Sequence, residues 1–276
     1  MSCSTLSLAA GEALAGTASV VSRWLVVEVG GAWGRDVVAD TELPAAVRER
    51  LETWVQDEEG ARVLFVRRPD RRGPEPTVRT ASSDEDGGEL RRLQLASLEA
   101  FPEAVLDAGE RLEGTLLLVC VHGRRDPCCA RQGVPVFDAL AAEVPPELLW
   151  QSSHQGGHRF AANVLALPAG ISLGRVAPES ASAVAAELRA GRIPLEHFRG
   201  RTIQPPLAQA AEAAVRSRLE LRDLGDVRVL EFDASRVVLQ TPGGVLDVVV
   251  EATEGSVRPE SCAAEPVPAT TYSVRW

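Results

Sequence analysis

The sequence predicts an α/β protein whose middle part has a central sheet flanked by helices. Apolar stretches of strand length alternate with amphipathic stretches of helical spacing, and Pro and Gly residues separate them. The chain has 276 residues, of which 45% are hydrophobic and 25% are charged. This composition is typical of a globular protein, and the length corresponds to one large domain or two small ones.

An N-terminal α/β part is predicted for residues 1–110. Strands are predicted at residues 23–29 and 61–69, and an amphipathic helix at residues 43–58. The polar, Gly- and Pro-rich segment 70–89 is predicted to be a loop, and residues 90–101 are predicted to be helical. No motif in this part indicates a chemical function.

The middle part, residues 111–200, is predicted to fold in the order β-α-β-β-β-α. The predicted strands are 115–121, 148–154 and two strands within 163–176 that are joined by a Pro-Ala-Gly turn; the helices are 134–144, with Pro135 in its first turn, and 178–191. This order can be built as a central sheet with flanking helices, as in the thioredoxin fold.

A C-terminal helix and β-hairpin region is predicted for residues 201–276. The helix spans residues 205–225, and strand-like runs follow at 227–233, 236–241 and 245–253. The sequence TPGG between the last two runs is typical of a hairpin turn. The Pro-rich end, residues 258–276, is predicted to be irregular.

Charge and hydropathy restrict the compartment and the partners. The formal net charge of -10 would repel a phosphate backbone, so nucleic acid is not an expected partner. No apolar run reaches the roughly 18 residues of a membrane span, and the N-terminus lacks the features of a signal peptide. We therefore expect a cytoplasmic protein without a membrane partner. Five cysteines in a reducing compartment do not suggest a disulfide framework.

Cysteine and histidine residues follow two neighbouring strands of the middle part. Cys120 lies near the end of one strand, Cys128 and Cys129 lie just before a helix, and His154 follows the next strand. Because the ends of parallel strands open at one edge of a sheet, these residues are expected to form one site together with His158. The sequence HQGGH is not a zinc-protease helix, since Gln155 stands where the general base is needed and two glycines follow it.

The residues alone leave three interpretations open. The first is a structural zinc site of two Cys and two His, and the second is a [2Fe–2S] cluster with the same ligands. Zinc knuckles use a short Cys spacing, so the wider separation of Cys120 from Cys128 or Cys129 favours the cluster. The third is a thiol-disulfide protein that uses Cys128 and Cys129.

The remaining candidates are weaker. Cys128 is the alternative to Cys129 as a ligand, and His122 is a minor candidate. His197 is predicted to be a structural or a surface residue. Cys3 and Cys262 lie far away in the sequence without a paired motif, so they are assigned no role in the cluster.

Three segments, CVHGRRDPCCARQGVPVFDALAAE, HQGGHRFAANVLALPAGISLGRV and RGRTIQPPLAQAAE, resemble the sucrase/ferredoxin-like family. The N-terminal SCSTLSLAAGEALAGTA and the RPESC near the end resemble it too. The resemblance implies a thioredoxin-like ferredoxin domain of an actinobacterial type, with fungal relatives. It also implies a [2Fe–2S] cluster bound by Cys120, Cys129, His154 and His158, both cysteines on one iron and both histidines on the other.

The function implied by this resemblance is one-electron transfer or redox sensing rather than an enzymatic reaction, and no glycosidase activity is expected. A redox partner protein, either a reductase or an acceptor, is therefore expected. Imidazole ligands keep a second ring nitrogen that can bind a proton, so reduction is expected to be coupled to proton uptake.

Overall fold

The computed structural model describes residues 2–69 and 75–276. The α-helices are α1 (Cys3–Ala9), α2 (Ala45–Asp57), α3 (Pro127–Leu140), α4 (Ala181–Arg189) and α5 (Pro206–Leu219). The strands are β1 (Arg23–Glu28), β2 (Ala61–Arg67), β3 (Thr77–Ser82), β4 (Glu89–Gln94), β5 (Glu110–Arg111), β6 (Leu116–Cys120), β7 (Leu149–Ser152), β8 (Val164–Leu167), β9 (Ile171–Leu173), β10 (Phe198–Arg201), β11 (Arg228–Phe232), β12 (Arg236–Thr241), β13 (Gly244–Pro259) and β14 (Pro266–Arg275).

The larger of two sheets has the strand order β10-β9-β8-β6-β7-β2-β1-β3-β4-β5. In its middle, β6 and β7 are parallel and are connected through α3, whereas β8 is antiparallel to both β6 and β9. α4 follows β9, so these elements have the predicted thioredoxin-like order. The predicted α/β fold with a central sheet is therefore confirmed.

The N-terminal and middle parts share this sheet. β2 pairs antiparallel with β7, so that Val66 lies opposite Ser152 and Arg67 lies opposite Gln151. The sheet thus continues across the predicted boundary at residue 110. The division of the chain at residues 110 and 200 stays a prediction.

Two elements of the N-terminal part differ from the sequence prediction. β3 falls in the segment 70–89 that was predicted to be a loop, of which residues 70–74 lie outside the described residues, and β4 replaces the first half of the predicted helix 90–101. β3 pairs with β1 on one side and with β4 on the other. Hydrogen bonds to strands on both sides of β3 outweigh the local preference of this polar, Gly-rich segment for a loop. In β4, the pairing with β3 and the burial of Leu90 in the sheet outweigh the predicted helix.

α3 also begins earlier than the sequence predicts. It starts at Pro127, so Cys128 and Cys129 lie in its first turn rather than before it, and Pro135 lies inside the helix. The helix start is stabilised by Asp126, whose carboxylate accepts a hydrogen bond from the backbone N–H of Cys128 at 2.9 Å.

The C-terminal region forms a second sheet in the order β11-β12-β13-β14. Buried residues of α5, such as Ala211 and Val215, form one apolar cluster with Val248 and Val250 of β13. The prediction that residues 258–276 are irregular is wrong, because β14 pairs antiparallel with residues 249–259 of β13. The long β13 offers an edge of unpaired backbone groups, and β14 satisfies them despite its prolines.

A buried arginine fixes the loop between β7 and β8. Arg199 donates hydrogen bonds to the carbonyl oxygen of Gly156 at 3.1 Å and to Oδ1 of Asn163 at 2.9 Å. Asn163 Nδ2 in turn donates to the carbonyl oxygen of Gly157 at 3.0 Å. Burial lowers the pKa of Arg199 to about 9. Gly157 has a φ of +69°, and a Cβ there would lie 2.3 Å from an Arg199 guanidinium nitrogen.

We expect Gly157→Ala to destabilise the protein more than Gly191→Ala. Both glycines have a positive φ, but a Cβ at Gly191 meets nothing within 4 Å. Gly191→Ala should therefore cost only the about 1–2 kcal/mol of left-handed backbone strain. Gly157→Ala should cost about 1–3 kcal/mol more, because the buried Arg199 has to move. Denaturant unfolding of both variants measures the difference, and equal losses would contradict the close packing of this loop.

Candidate metal centre

The end of β6 and the first turn of α3 carry two buried cysteines. Cys120 is the last residue of β6, and Cys129 lies in the first turn of α3; their exposed fractions are 1% and 0%. The loop between them is short, so both thiols lie at the same edge of the sheet. The sequence analysis predicted that the site residues lie together at one edge of the sheet, and the positions of these two cysteines agree with it.

His154, just after β7, completes a compact group with these two thiols. The donor atoms of Cys120, Cys129 and His154 all lie within 4.8 Å of one another. Cys129 Sγ is 3.9 Å from His154 Nδ1. The rings of His154 and His158 lie beside each other, with centroids 4.9 Å apart and planes tilted by 33°. The structure thus brings the donor atoms of Cys120, Cys129 and His154 together and places the ring of His158 beside His154.

The two thiols of this group shift each other's pKa in opposite directions. A hydrogen bond from Cys129 holds the pKa of Cys120 well below its usual range, and the same hydrogen bond raises the pKa of Cys129. Burial lowers the pKa of His158, and the neighbouring His154 lowers it further. A thiolate and a neutral imidazole are the forms in which Cys and His bind a metal.

His158 has one ring nitrogen that the protein leaves unused. Its Nδ1 is buried and has no hydrogen-bond partner among the described residues. Its Nε2 lies 3.8 Å from Asp126 Oδ2, within ion-pair distance. A buried nitrogen acceptor without a partner is costly unless it binds something. Two thiols and two imidazoles with a free nitrogen therefore fit the Cys/His donor set that binds zinc or a [2Fe–2S] cluster.

Cys128 points to a different group of residues. Its Sγ lies 3.5 Å from Cys3 Sγ and 3.3 Å from Cys262 Sγ, and these two are 3.6 Å apart. Asp126 Oδ1 lies 3.2 Å from Cys262 Sγ. We call Cys3, Asp126, Cys128 and Cys262 the second cysteine group. This position favours Cys129 over Cys128 as the thiol that faces His154.

Sequence reasoning missed the second cysteine group. Cys3 and Cys262 are far away in the sequence and have no paired motif, so the sequence analysis assigned them no role in the cluster, yet both contact Cys128. Cys3 begins α1, and Cys262 lies in the turn between β13 and β14. The available signal was that each of these cysteines belongs to one of the two end segments that resemble the family.

The other two histidines bind backbone carbonyls. His122 Nε2 lies 2.7 Å from the carbonyl oxygen of Gly34, and its ring packs edge-on against Trp33. His197 Nδ1 lies 3.2 Å from the carbonyl oxygen of Gly174. These contacts support a structural role for both histidines.

A polar cleft of about 360 Å³ opens beside His154. Its lining includes three basic side chains, Arg35, Arg62 and Arg125, and one acidic side chain, Asp36. Arg35 and Arg125 are exposed. The cleft is therefore a locally basic surface on an acidic protein, and it reaches the histidine side of the four-residue group.

Within residues 2–69 and 75–276, none of the helices combines the length and the apolar character that a membrane crossing requires.

Comparisons with known proteins identify a family and a similar solved structure. No curated protein matches the chain. Among solved structures, a thioredoxin-like [2Fe-2S] ferredoxin from Aquifex aeolicus is similar, at 21% sequence identity and a TM-score of 0.30, over 34% of this chain and 97% of the ferredoxin. The model of the sucrase/ferredoxin-like family matches residues 14–200. This match spans the sheet and all four residues of the centre, and the chain therefore belongs to the sucrase/ferredoxin-like family.

Proposed function

We propose that the protein binds a [2Fe–2S] cluster through Cys120, Cys129, His154 and His158 and transfers one electron at a time. The proposal depends on one observation: the donor atoms of two buried thiols and of His154 lie within 4.8 Å of one another, with the ring of His158 alongside. Both residue types bind iron–sulfur clusters, and the family and its ferredoxin relationship support this cofactor over others.

The ligand set predicts the direction in which the reduction potential of such a centre is shifted. When bound, a [2Fe–2S] cluster accepts and returns a single electron. Two neutral imidazoles in place of two thiolates remove two negative charges from the ligands. This change favours the reduced state and raises the potential towards the Rieske range. Coupling of reduction to proton uptake stays a prediction from the sequence.

The protein keeps its two ligand pairs in place through the surrounding hydrogen bonds. Asp126 fixes the first turn of α3 and with it Cys129. Gln155 Nε2 donates to the carbonyl oxygen of Leu118 at 2.7 Å, which ties the histidine loop to β6. Such outer contacts orient metal ligands and limit the access of water.

We expect about two irons and two sulfides per chain in protein purified without oxygen, as a [2Fe–2S] centre requires. Cys120→Ser and Cys129→Ser should lose the cluster and its visible absorption, because a serine hydroxyl is a poor ligand unless it is deprotonated. Cys128→Ser is the matched control, since Cys128 is adjacent to Cys129 but faces the second cysteine group. Iron and sulfide analysis together with absorption spectra measure the effect.

Two outcomes would contradict this assignment. Metal at the four residues without acid-labile sulfide would show a zinc site in place of the cluster. A normal spectrum for Cys129→Ser together with loss of the spectrum for Cys128→Ser would show that the neighbouring cysteine is the ligand.

The basic cleft beside His154 is the surface that we assign to electron exchange with a redox partner. It brings solvent next to the histidine side of the centre, and its arginines would attract an acidic patch on a reductase or acceptor. The net charge of -10 makes such a local basic surface distinctive on this protein.

We expect Arg125→Glu to slow oxidation of the reduced protein by the anion ferricyanide about 2–10-fold at low ionic strength, because it reverses a charge at the cleft. Oxidation by the cation hexaammineruthenium(III) should become faster. Arg124→Glu is the control, since it changes the net charge equally but Arg124 does not line the cleft. Stopped-flow absorbance measures both rates. Equal effects of the two variants would place electron exchange elsewhere.

A further inference from the structure

We propose that the second cysteine group binds one zinc ion, separate from the four-residue centre. Cys3, Cys128 and Cys262 would provide three thiolates, and Asp126 would provide one carboxylate oxygen. These four donor atoms lie within 4.8 Å of one another. The site would be structural, because all four positions of a tetrahedral ion are filled by the protein.

The distances fit a single tetrahedral ion. Zinc bound to thiolates at about 2.3 Å separates neighbouring sulfurs by about 3.8 Å in a regular tetrahedron. The three Sγ···Sγ distances here are 3.5, 3.3 and 3.6 Å. The carboxylate lies at comparable range, with Oδ1 of Asp126 at 3.2 Å from Cys262 Sγ and 3.9 Å from Cys3 Sγ. Thiolates around a polynuclear cluster would lie farther apart.

The charge of the group also suits a cation. The Asp126 side chain is only 2% exposed, and among the described residues its one ion-pair neighbour is His158 at 3.8 Å. Its oxygens accept backbone hydrogen bonds from Cys128 and Cys262, both at 2.9 Å. They also lie within hydrogen-bond distance of the Cys3 and Cys262 thiols, at 3.7 and 3.2 Å, and these thiols lose their protons when they bind a metal. A buried carboxylate beside three sulfurs is stabilised by a divalent ion.

A further contact prepares one sulfur for a negative charge. The hydroxyl of Ser4 donates to Cys128 Sγ at 3.3 Å. Hydrogen bonds to a ligating sulfur orient it and stabilise the thiolate. On binding, the three thiols release their protons to solvent, and the ion exchanges its water for four protein donors.

A disulfide explains the arrangement of these three sulfurs less well than a metal ion does. It would join two sulfurs at about 2.05 Å and leave the third thiol buried against a carboxylate. Here the three sulfurs are nearly equidistant, so no pair is preferred.

The ion would connect three distant parts of the chain. Cys3 begins α1, Cys128 lies in α3, and Cys262 lies in the turn after β13, with 259 positions between the outermost two. A second contact set holds the N-terminal segment and β13 near the centre without metal: Glu12, which follows α1, accepts at Oε1 from Arg159 Nε of the histidine loop at 2.8 Å and from Arg258 of β13. Loss of one cysteine should therefore weaken the zinc site without unfolding the protein.

The test is metal analysis of wild type, Cys262→Ser, Cys128→Ser and Cys120→Ser, produced in medium with iron and zinc. Wild type should contain about one zinc per chain. Cys262→Ser and Cys128→Ser should lose zinc but keep iron, sulfide and the visible spectrum. Cys120→Ser should show the opposite pattern. Cys262 is exposed, so its replacement disturbs packing least.

A second measurement does not depend on the iron content. Metal-free Cys120→Ser protein, whose four-residue centre lacks one ligand, should take up Zn²⁺ in competition with a chromophoric chelator, and the Cys120→Ser/Cys262→Ser double variant should bind it more than about tenfold more weakly. Bound Zn²⁺ should also slow alkylation of Cys262. The proposal is overturned if wild type binds no zinc, if mass spectrometry finds a disulfide among the three cysteines, or if zinc is lost from Cys120→Ser and retained by Cys262→Ser.

Discussion

The buried carboxylate of Asp126 belongs to the second cysteine group and also faces the four-residue centre. Its oxygens accept the backbone N–H groups of Cys128 and Cys262, and Oδ2 lies 3.8 Å from His158 Nε2. The Asp126 side chain therefore contacts the start of α3, the turn after β13 and the ring of His158. The placement of Cys129 opposite His154 follows from it, because Cys129 lies in the turn that Asp126 caps.

The four-residue centre could be predicted from the sequence because local rules determine it. Cys120 and His154 follow consecutive parallel strands, and such strands end at the same edge of a sheet. The two glycines between the histidines argued against a zinc-protease helix, and both have a positive φ in the structure. The family pattern favoured Cys129 over Cys128. The structure gives the physical reason: α3 begins earlier than predicted, so both cysteines lie in its first turn and their side chains face different directions.

The sequence was misleading where long-range pairing decides the structure. β3 and β14 were predicted as irregular segments, because Gly, Pro and polar residues dominate them, but each pairs with a strand whose edge would otherwise be open. The sequence analysis missed the second cysteine group for the same reason. Cys3 and Cys262 are 125 and 134 positions from Cys128 in the sequence, and no local pattern encodes their contact with it. Only the packing of α1 and the C-terminal hairpin against the middle part brings them together.

Helix geometry explains how adjacent cysteines can belong to different sites. Successive residues of an α-helix are rotated by about 100°, so neighbouring side chains do not face each other. In the first turn of α3, Cys128 therefore faces α1 and the hairpin turn, whereas Cys129 faces His154. A disulfide between them would require both sulfurs to leave their partners and the turn to unwind. The same geometry argues against a thiol-disulfide protein and in favour of two separate metal-binding groups that are anchored by a single turn of helix.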